Sequence, residues 1–326
     1  MNIESPTSSA LHFYDFHPLT ADFKAEVLGG LSQVSRQLSP KYFYDRHGSE
    51  LFDAITELPE YYPTRTEIDI LQKHGETIAD LLGQDCLLLE LGSGSSKKIR
   101  VLLDALKPSI YMPVDISREH LLGSTEELVA DYPALEIHAV CADYTADFDL
   151  PCCPDHLSRV LFYPGSSIGN FEPSRAVGLL RRMAHHLQER GRMLIGVDLK
   201  KDVELLHAAY NDSQQLTAAF NLNILHRINR ELDADFDVRA FTHRAFYNES
   251  EGRVEMHLVS KQVQAVTVAG QLFEFAAGET IHTENSYKYS AEEFLLLAEK
   301  AGFVSEKVWT DDHELFSVHC IRCDQY

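Results

Sequence analysis

The stretch Leu87-Leu88-Leu89-Glu90-Leu91-Gly92-Ser93-Gly94-Ser95-Ser96-Lys97-Lys98-Ile99-Arg100 constrains this chain more than any other. Leu87–Leu91 is a short apolar run with the character of a strand buried on both faces. Two glycines follow at once, and then Ile99, Leu102, Leu103 and Leu106 recur at helical spacing. Strand, tight glycine turn and helix form the nucleotide-binding corner of a doubly wound α/β domain. A dinucleotide fingerprint would place a third glycine where Ser96 or Lys97 stands. Glu90, just before the first glycine, puts a carboxylate where phosphates would be repelled. The corner therefore suits a ligand carrying a cationic group. Gly-x-Gly alone is shared by many α/β turns, so the residues that follow have to carry the reading.

They run in the expected order. Ile110–Val114 is the next strand and ends at Asp115, 23 positions beyond Gly92. An acid at that place holds a ribose diol; the alternative is that Asp115 caps the helix Arg118–Asp131. Leu135–Val140 is a third strand, leading to Asp143-Tyr144, an acid and a ring fit to grip an adenine amino group and ring face. Arg159–Tyr163 is a fourth, followed by Pro164-Gly165-Ser166-Ser167-Ile168-Gly169-Asn170-Phe171. A loop at the carboxyl end of a strand in an open α/β sheet faces the ligand, and Asn170 offers it a donor and an acceptor; otherwise the loop merely closes onto the helix Pro173–Gln188. Met193–Leu199 is the fifth strand. S-adenosylmethionine (SAM) is a nucleoside with a cationic centre and fits this set. The Asn/Asp-Pro-Pro-aromatic sequence of enzymes that methylate base amines is absent.

The flanks read differently. Residues 1–20 are mixed and look loose, and Asp22–Leu31 has a short helical pattern. Two aromatic clusters, Lys41–Ser49 and Glu60–Glu67, bracket a helix from Ser49 to Leu58 and suggest a ligand wall. Thr66 opens a further helix, Glu67–Leu82. Val203–Leu225 reads as one helix carrying Tyr210, and Phe241–Asn248 and Arg253–Val268 alternate like antiparallel strands about Gly252. Ser290-x-x-Glu293 is a capping box for a helix Ala291–Ala301, and Val304–Trp309 and Leu315–Ile321 are closing strands. The α/β domain is thus expected to be split over 62–200 and 287–326. A second, α+β substrate-binding or lid domain is expected from 20–61 and 201–286.

The chain has 326 residues, and its net charge of −21 argues against a nucleic-acid partner or an anionic membrane surface. No apolar run spans a bilayer, and Met1–Ala10 shows no signal peptide. The six cysteines form no disulfide framework, which fits a reduced cytoplasm. Cys152-Cys153 and Cys320-x-x-Cys323 have the donors for a zinc, but Cys320 lies in an alternating strand where thiols pack inertly, so no metal is expected.

Taken together, Phe43-Tyr44-Asp45, Leu58-Pro59-Glu60-Tyr61-Tyr62-Pro63-Thr64-Arg65-Thr66-Glu67, Glu90-Leu91-Gly92-Ser93-Gly94, Gly165-Ser166-Ser167-Ile168-Gly169-Asn170 and Asn229-Arg230-Glu231-Leu232 resemble the histidine N-alpha-methyltransferases of ergothioneine biosynthesis. The resemblance runs from about Pro40 to Val318. It implies a class I SAM-methyltransferase fold, a Rossmann-like seven-stranded sheet, and SAM-dependent trimethylation of the α-amine of L-histidine to histidine betaine (hercynine). It implies SAM contacts from Gly92, Lys98, Asp115, Asp143 and Tyr144. It implies contacts to the amino acid's backbone groups from Tyr61, Asn170 and Tyr210, and to the imidazole from Glu284 and Ser286 with Met256 nearby. Tyr44 would stand close to the reacting amine, and Tyr44 with Asn170 would be catalytic. Tyr144 replaces a phenylalanine frequent in relatives, and Tyr163-Pro164 also departs from the pattern.

The residues leave other readings open: an N-methyltransferase of another, aromatic amino acid, a nicotinamide-dependent dehydrogenase, or a non-catalytic nucleotide-binding protein. Glu284 argues against an indole substrate, which has one polar hydrogen and no cationic form. Glu90 and the missing third glycine argue against the dehydrogenase. A small-molecule substrate and a monomer are expected.

Overall fold

The computed structural model describes residues 11–16, 20–94, 96–189 and 191–324. Its strands are β1 (Leu11–Asp15), β2 (Leu87–Leu91), β3 (Ile110–Asp115), β4 (Glu136–Cys141), β5 (Arg159–Tyr163), β6 (Arg192–Asp198), β7 (Phe241–Asn248), β8 (Arg253–Ser260), β9 (Gln264–Val268), β10 (Gln271–Phe275), β11 (Thr280–Tyr287), β12 (Phe303–Thr310) and β13 (Phe316–Cys323). Its α-helices are α1 (Thr20–Leu31), α2 (Arg46–Thr56), α3 (Tyr62–Leu82), α4 (Lys97–Leu106), α5 (Arg118–Asp131), α6 (Pro173–Leu187), α7 (Val203–Tyr210), α8 (Leu216–Glu231) and α9 (Ala291–Lys300). The chain forms two compact units. One comprises Pro63–Lys201 and Tyr287–Tyr326 together with β1; the other comprises Pro18–Tyr62 and Asp202–Ser286.

The first unit is built on a sheet of order β1-β4-β3-β2-β5-β6-β13-β12. The central strands β2 to β6 run parallel, and β13 returns antiparallel between β6 and β12. All five residues of β2 are buried, which explains the unbroken apolar run: a strand covered on both faces has no polar side. Leu87, Leu89 and Leu91 pack with Leu180 and Met183 of α6 and Phe294 of α9. Leu88 points the other way, among Ile78 of α3, Leu102 of α4 and Leu128 of α5. The seven expected strands are present, and β1 adds an eighth at the edge, pairing parallel with β4 from Leu11↔Ile137 to Asp15↔Cys141. The reading of residues 1–20 as loose is thereby corrected for Leu11–Asp15. The signal was an alternation too short to stand out: Leu11 and Phe13 are buried, His12 and Tyr14 only partly so. Residues 1–10 lie outside the described residues.

The second unit holds a three-stranded sheet, β11-β8-β7, and a hairpin of β9 and β10. The register from Phe241↔Ser260 to Asn248↔Arg253 matches the turn read at Gly252. Three local expectations are corrected. Arg253–Val268 is two strands, β8 and β9. Val203–Leu225 is broken into α7 and α8, because the Asp212 carboxylate accepts the Leu216 and Thr217 amides at 2.9 and 2.8 Å and starts a new helix. The helix placed at Ser49 begins at Arg46, where Asp45 caps it by accepting the Gly48 amide at 2.8 Å. Gly48 allows close packing inside that helix: a Cβ there would lie 1.7 Å from the Phe43 carbonyl oxygen.

Candidate active site

In the first unit the five residues expected at SAM, and Asn170, all lie at or beyond the carboxyl ends of β2, β3, β4 and β5. The chain leaves β2 through Gly92 and Gly94, at φ of +64° and +44°, left-handed values that glycine adopts without a steric penalty. A Cβ on Gly92 would lie 3.8 Å from Tyr144 Cε1, so the Tyr144 ring covers the turn. Asp115, the last residue of β3, accepts the Gly94 amide through Oδ2 at 3.1 Å and the Ser117 amide through Oδ1 at 2.8 Å. Each carboxylate oxygen can accept more than one bond, so capping the next turn and holding a diol are compatible roles. Burial raises the Asp115 pKa, against the pull of these amides. Asp143 Oδ1 accepts the Thr145 amide at 2.9 Å. The Tyr144 ring meets Tyr163 edge-on at 5.7 Å, and burial pushes its hydroxyl up to about 12. Asn170 ends a 3₁₀ turn, Ser167–Asn170, and is partly buried.

Lys98 is brought to a partner that the sequence pattern does not announce. Its Nζ lies 2.6 Å from Oε2 of Glu67, which is fully buried. The same Oε2 accepts the Gly165 amide at 2.9 Å. Glu67 thus fastens the first turn of α4 to the loop after β5. Gly196 in β6 leaves the room for it, since a Cβ there would stand 2.0 Å from Glu67 Oε1.

Beneath the glycine turn, Tyr111 donates its hydroxyl to Oε2 of the buried Glu90. Burial pushes the Glu90 carboxyl up to about 8, opposed by the Tyr111 bond and the Lys98 charge and reinforced by Asp115 and Glu67. Three carboxyl groups, of which Glu90 keeps its proton near neutral pH, therefore share one small region with a lysine already ion-paired. A pyrophosphate would add negative charge to it; a sulfonium and an ammonium relieve it. The donor set fits SAM on this ground.

In the second unit, Tyr44 follows a 3₁₀ turn, Pro40–Phe43. Its ring packs edge-on to Phe52 and Phe220 at 5.7 and 5.5 Å, and Phe52 reaches Tyr61 at 6.1 Å. Phe52 and Phe220 join Tyr44 and Tyr61 in one aromatic group; the signal for Phe52 was its place on the helix between the two aromatic clusters. Tyr210, the last residue of α7, donates its hydroxyl to Ser286 Oγ at 2.7 Å. Thr280–Tyr287 is a strand, so Glu284 and Ser286 project to the same side. They are only 9% and 4% exposed, which excludes a charged surface loop. Met256 is buried in β8, and its carbonyl accepts the Thr283 hydroxyl at 3.0 Å, beside the strand that carries Glu284.

All six thiols are free. Cys320 and Cys323 pack in different layers of the core, and among the described residues no group of possible metal ligands contains a cysteine. No helix among the described residues is long and apolar enough to cross a membrane.

Comparison with known proteins gives the same reading over nearly the whole chain. The family model for SAM-dependent, histidine-specific methyltransferases matches residues 23–323. A histidine N-alpha-methyltransferase of Mycolicibacterium smegmatis is 42% identical over 90% of this chain and 94% of its own. One from Mycobacterium tuberculosis is 40% identical over 89% and 91%. Ergothioneine biosynthesis protein 1 of Neurospora crassa, a longer protein, is 32% identical over 88% of this chain and 33% of its own. With a class I methyltransferase sheet, a glycine turn held by Asp115 and a match of this extent, the chain belongs to the SAM-dependent histidine-specific methyltransferase family.

Proposed function

We propose that this enzyme transfers methyl groups from SAM to the α-amine of L-histidine, three in succession, forming histidine betaine in the first step of ergothioneine biosynthesis. The observation that carries the reading is the pair Glu284 and Ser286, buried side by side on an extended strand of a histidine-specific methyltransferase. A carboxylate and a hydroxyl so spaced address the two nitrogens of one imidazole. The Tyr210 hydroxyl, bonded to Ser286, orients that second contact. We assign Tyr61, Asn170 and Tyr210 to the amino acid's backbone groups, Met256 to the flank of the ring, and Tyr44 to the neighbourhood of the amine. Asp115 is assigned to the ribose diol, Asp143 and Tyr144 to the adenine, and Gly92 and Lys98 to the rest of SAM. The first unit is then the SAM domain and the second the substrate-binding domain.

Bound SAM supplies an electrophilic methyl carbon for an in-line displacement. What the chain contributes is placement of the amine. The amine needs its lone pair, so the ammonium must lose a proton first. Tyr44 and Asn170 offer it a hydroxyl and an amide, neither of which stabilises the ammonium as a carboxylate would. An amine with one or two methyls still deprotonates to a lone pair; a trimethylammonium has none, and the sequence stops there. The scheme needs no metal. We place it in the cytoplasm, in a monomer; the net charge of −21 supports the absence of a nucleic-acid partner.

The test is incubation with isotopically labelled SAM and a mixture of amino acids, followed by mass spectrometry. Three labelled methyls on the α-nitrogen of histidine are expected. A methyl on a ring nitrogen, one methyl as the end product, or preference for another amino acid would overturn the proposal.

A further inference from the structure

One cluster of metal-ligating side chains lies outside the residues assigned to either substrate. Glu255 and His257 are two apart on β8 and so share a face. His282, on the neighbouring strand β11, stacks its ring on His257 with centroids 4.6 Å apart and planes 13° from parallel. Each of the three offers a ligand atom within 4.8 Å of the other two. We propose that Glu255, His257 and His282 form a binding site for a divalent transition-metal cation of the zinc class.

The hydrogen bonds around the cluster resemble the outer shell of a metal site. His282 Nε2 lies 2.9 Å from the Glu284 carbonyl. A carbonyl only accepts, so Nε2 carries the proton and the lone pair is on Nδ1. A backbone carbonyl on the far nitrogen of a ligating histidine is a recurrent outer contact, one that fixes tautomer and orientation. Glu255 is oriented in the same way: its Oε1 accepts from Arg253 Nε at 2.9 Å and from Asn248 Nδ2 at 3.0 Å, while Oε2 faces His257 Nε2 at 3.0 Å. His257 Nδ1 is buried with no hydrogen-bond partner. On metal binding by Nε2 the His257 proton moves to Nδ1, and Nε2 and Oε2 both turn from each other to the cation. No proton is released and no further reactant is needed. Two imidazoles and a carboxylate with open positions for water form a familiar zinc set, with metal–ligand distances of about 2.0–2.2 Å. The three ligand atoms must close in from within 4.8 Å of one another, and the stacked rings of His257 and His282 must tilt from parallel so that both in-plane lone pairs meet one cation.

A second group, His12, Glu136 and His138, is a weaker candidate. Both nitrogens of His138 already face partners, Tyr14 at 3.2 Å and Glu136 at 2.7 Å. It serves as the internal control.

The experiment is a calorimetric titration of full-length, tag-free, chelator-treated protein with zinc chloride, without histidine or SAM. The visible absorption of added cobalt is followed in parallel. One equivalent of zinc should bind, at least tenfold more weakly in His257→Ala, His282→Ala and Glu255→Gln, and unchanged in His138→Ala. Melting curves without metal identify variants that fail to fold, and Glu255→Gln, which preserves shape, decides if a histidine variant does. Unchanged zinc binding in the folded variants, or loss of the site in His138→Ala alone, would overturn the assignment. The outcome is independent of whether Glu284 reads the imidazole, because activity is not the readout.

Discussion

The amide of Gly94 donates to Oδ2 of Asp115 at 3.1 Å, joining the glycine turn to a carboxylate 21 positions on. The end of β3 and the turn after β2 therefore hold each other in place before any ligand arrives. Asp115→Ala removes the acceptor for Gly94 and Ser117 and the two bonds assigned to the ribose diol. Charge-assisted bonds contribute about 1.5–3 kcal/mol each, so losing two should weaken SAM binding by roughly 100-fold or more. Calorimetric titration of the folded variant with SAM measures this. Unchanged affinity would remove Asp115 from the site.

Glu90 predicts a coupling between pH and SAM. Burial holds its carboxyl at about 8 in the folded chain, against an ordinary 4.5. Between those values the folded protein keeps a proton that the unfolded chain has lost, so stability falls as pH rises through this window. Each tenfold difference in proton affinity between the two states is worth about 1.4 kcal/mol, so the contribution is on the order of a few kcal/mol. Glu90→Gln should flatten that slope in denaturation series between pH 5 and 8. A cation bound nearby favours the carboxylate, so SAM binding near neutral pH should release a proton and tighten as pH rises. Binding heats should then differ between buffers of unlike ionisation enthalpy in the parent protein and agree in Glu90→Gln. Heats that are independent of buffer in the parent protein would count against the coupling.

Asp198 and Lys288 are each 1% exposed and lie 2.7 Å apart, with Lys201 against the other carboxylate oxygen. The two lysines hold the Asp198 pKa below the usual carboxylate value despite its burial. Removing one partner of a buried ion pair costs about 3–5 kcal/mol. Lys288→Met should fall at the lower end, because Lys201 remains. Urea denaturation should show this loss, and the double variant Asp198→Asn, Lys288→Met should recover part of it. Equal stability of parent and Lys288→Met would mean that the desolvation of Lys288 offsets its attraction to Asp198.

What could be read from sequence followed from how local its cause was. The strands β2 to β6 and their glycine turn were legible because burial on both faces and a left-handed turn each leave a mark within a few residues. The capping box at Ser290 was legible for the same reason, and the structure has both of its bonds. Asp45 and Asp212 were missed as helix starts because Ser49 and a continuous apolar pattern masked them. Glu67 could not be read at all: its amide partner Gly165 is 98 positions away, and no spacing announces that meeting. The stacking of His257 on His282 depends in the same way on the pairing of two strands.

Glu284 allows the sharpest prediction. It lies on β11, extended and 9% exposed, with Ser286 two positions on and bonded to Tyr210 at 2.7 Å. A buried carboxylate at a substrate ring should contribute through a hydrogen bond that the imidazole supplies and an indole does not satisfy in the same way. Losing a hydrogen bond to a charged or buried partner costs about 2–3 kcal/mol, or roughly 30- to 150-fold in rate. Glu284→Ala should therefore lower kcat/KM for histidine by that factor. The same change should lower activity on tryptophan far less, because the hydrogen bond it removes is one that the indole does not make in the same way. Steady-state kinetics of both proteins on both substrates measures the difference. Equal losses on histidine and tryptophan would mean that Glu284 supports the strand and does not read the side chain.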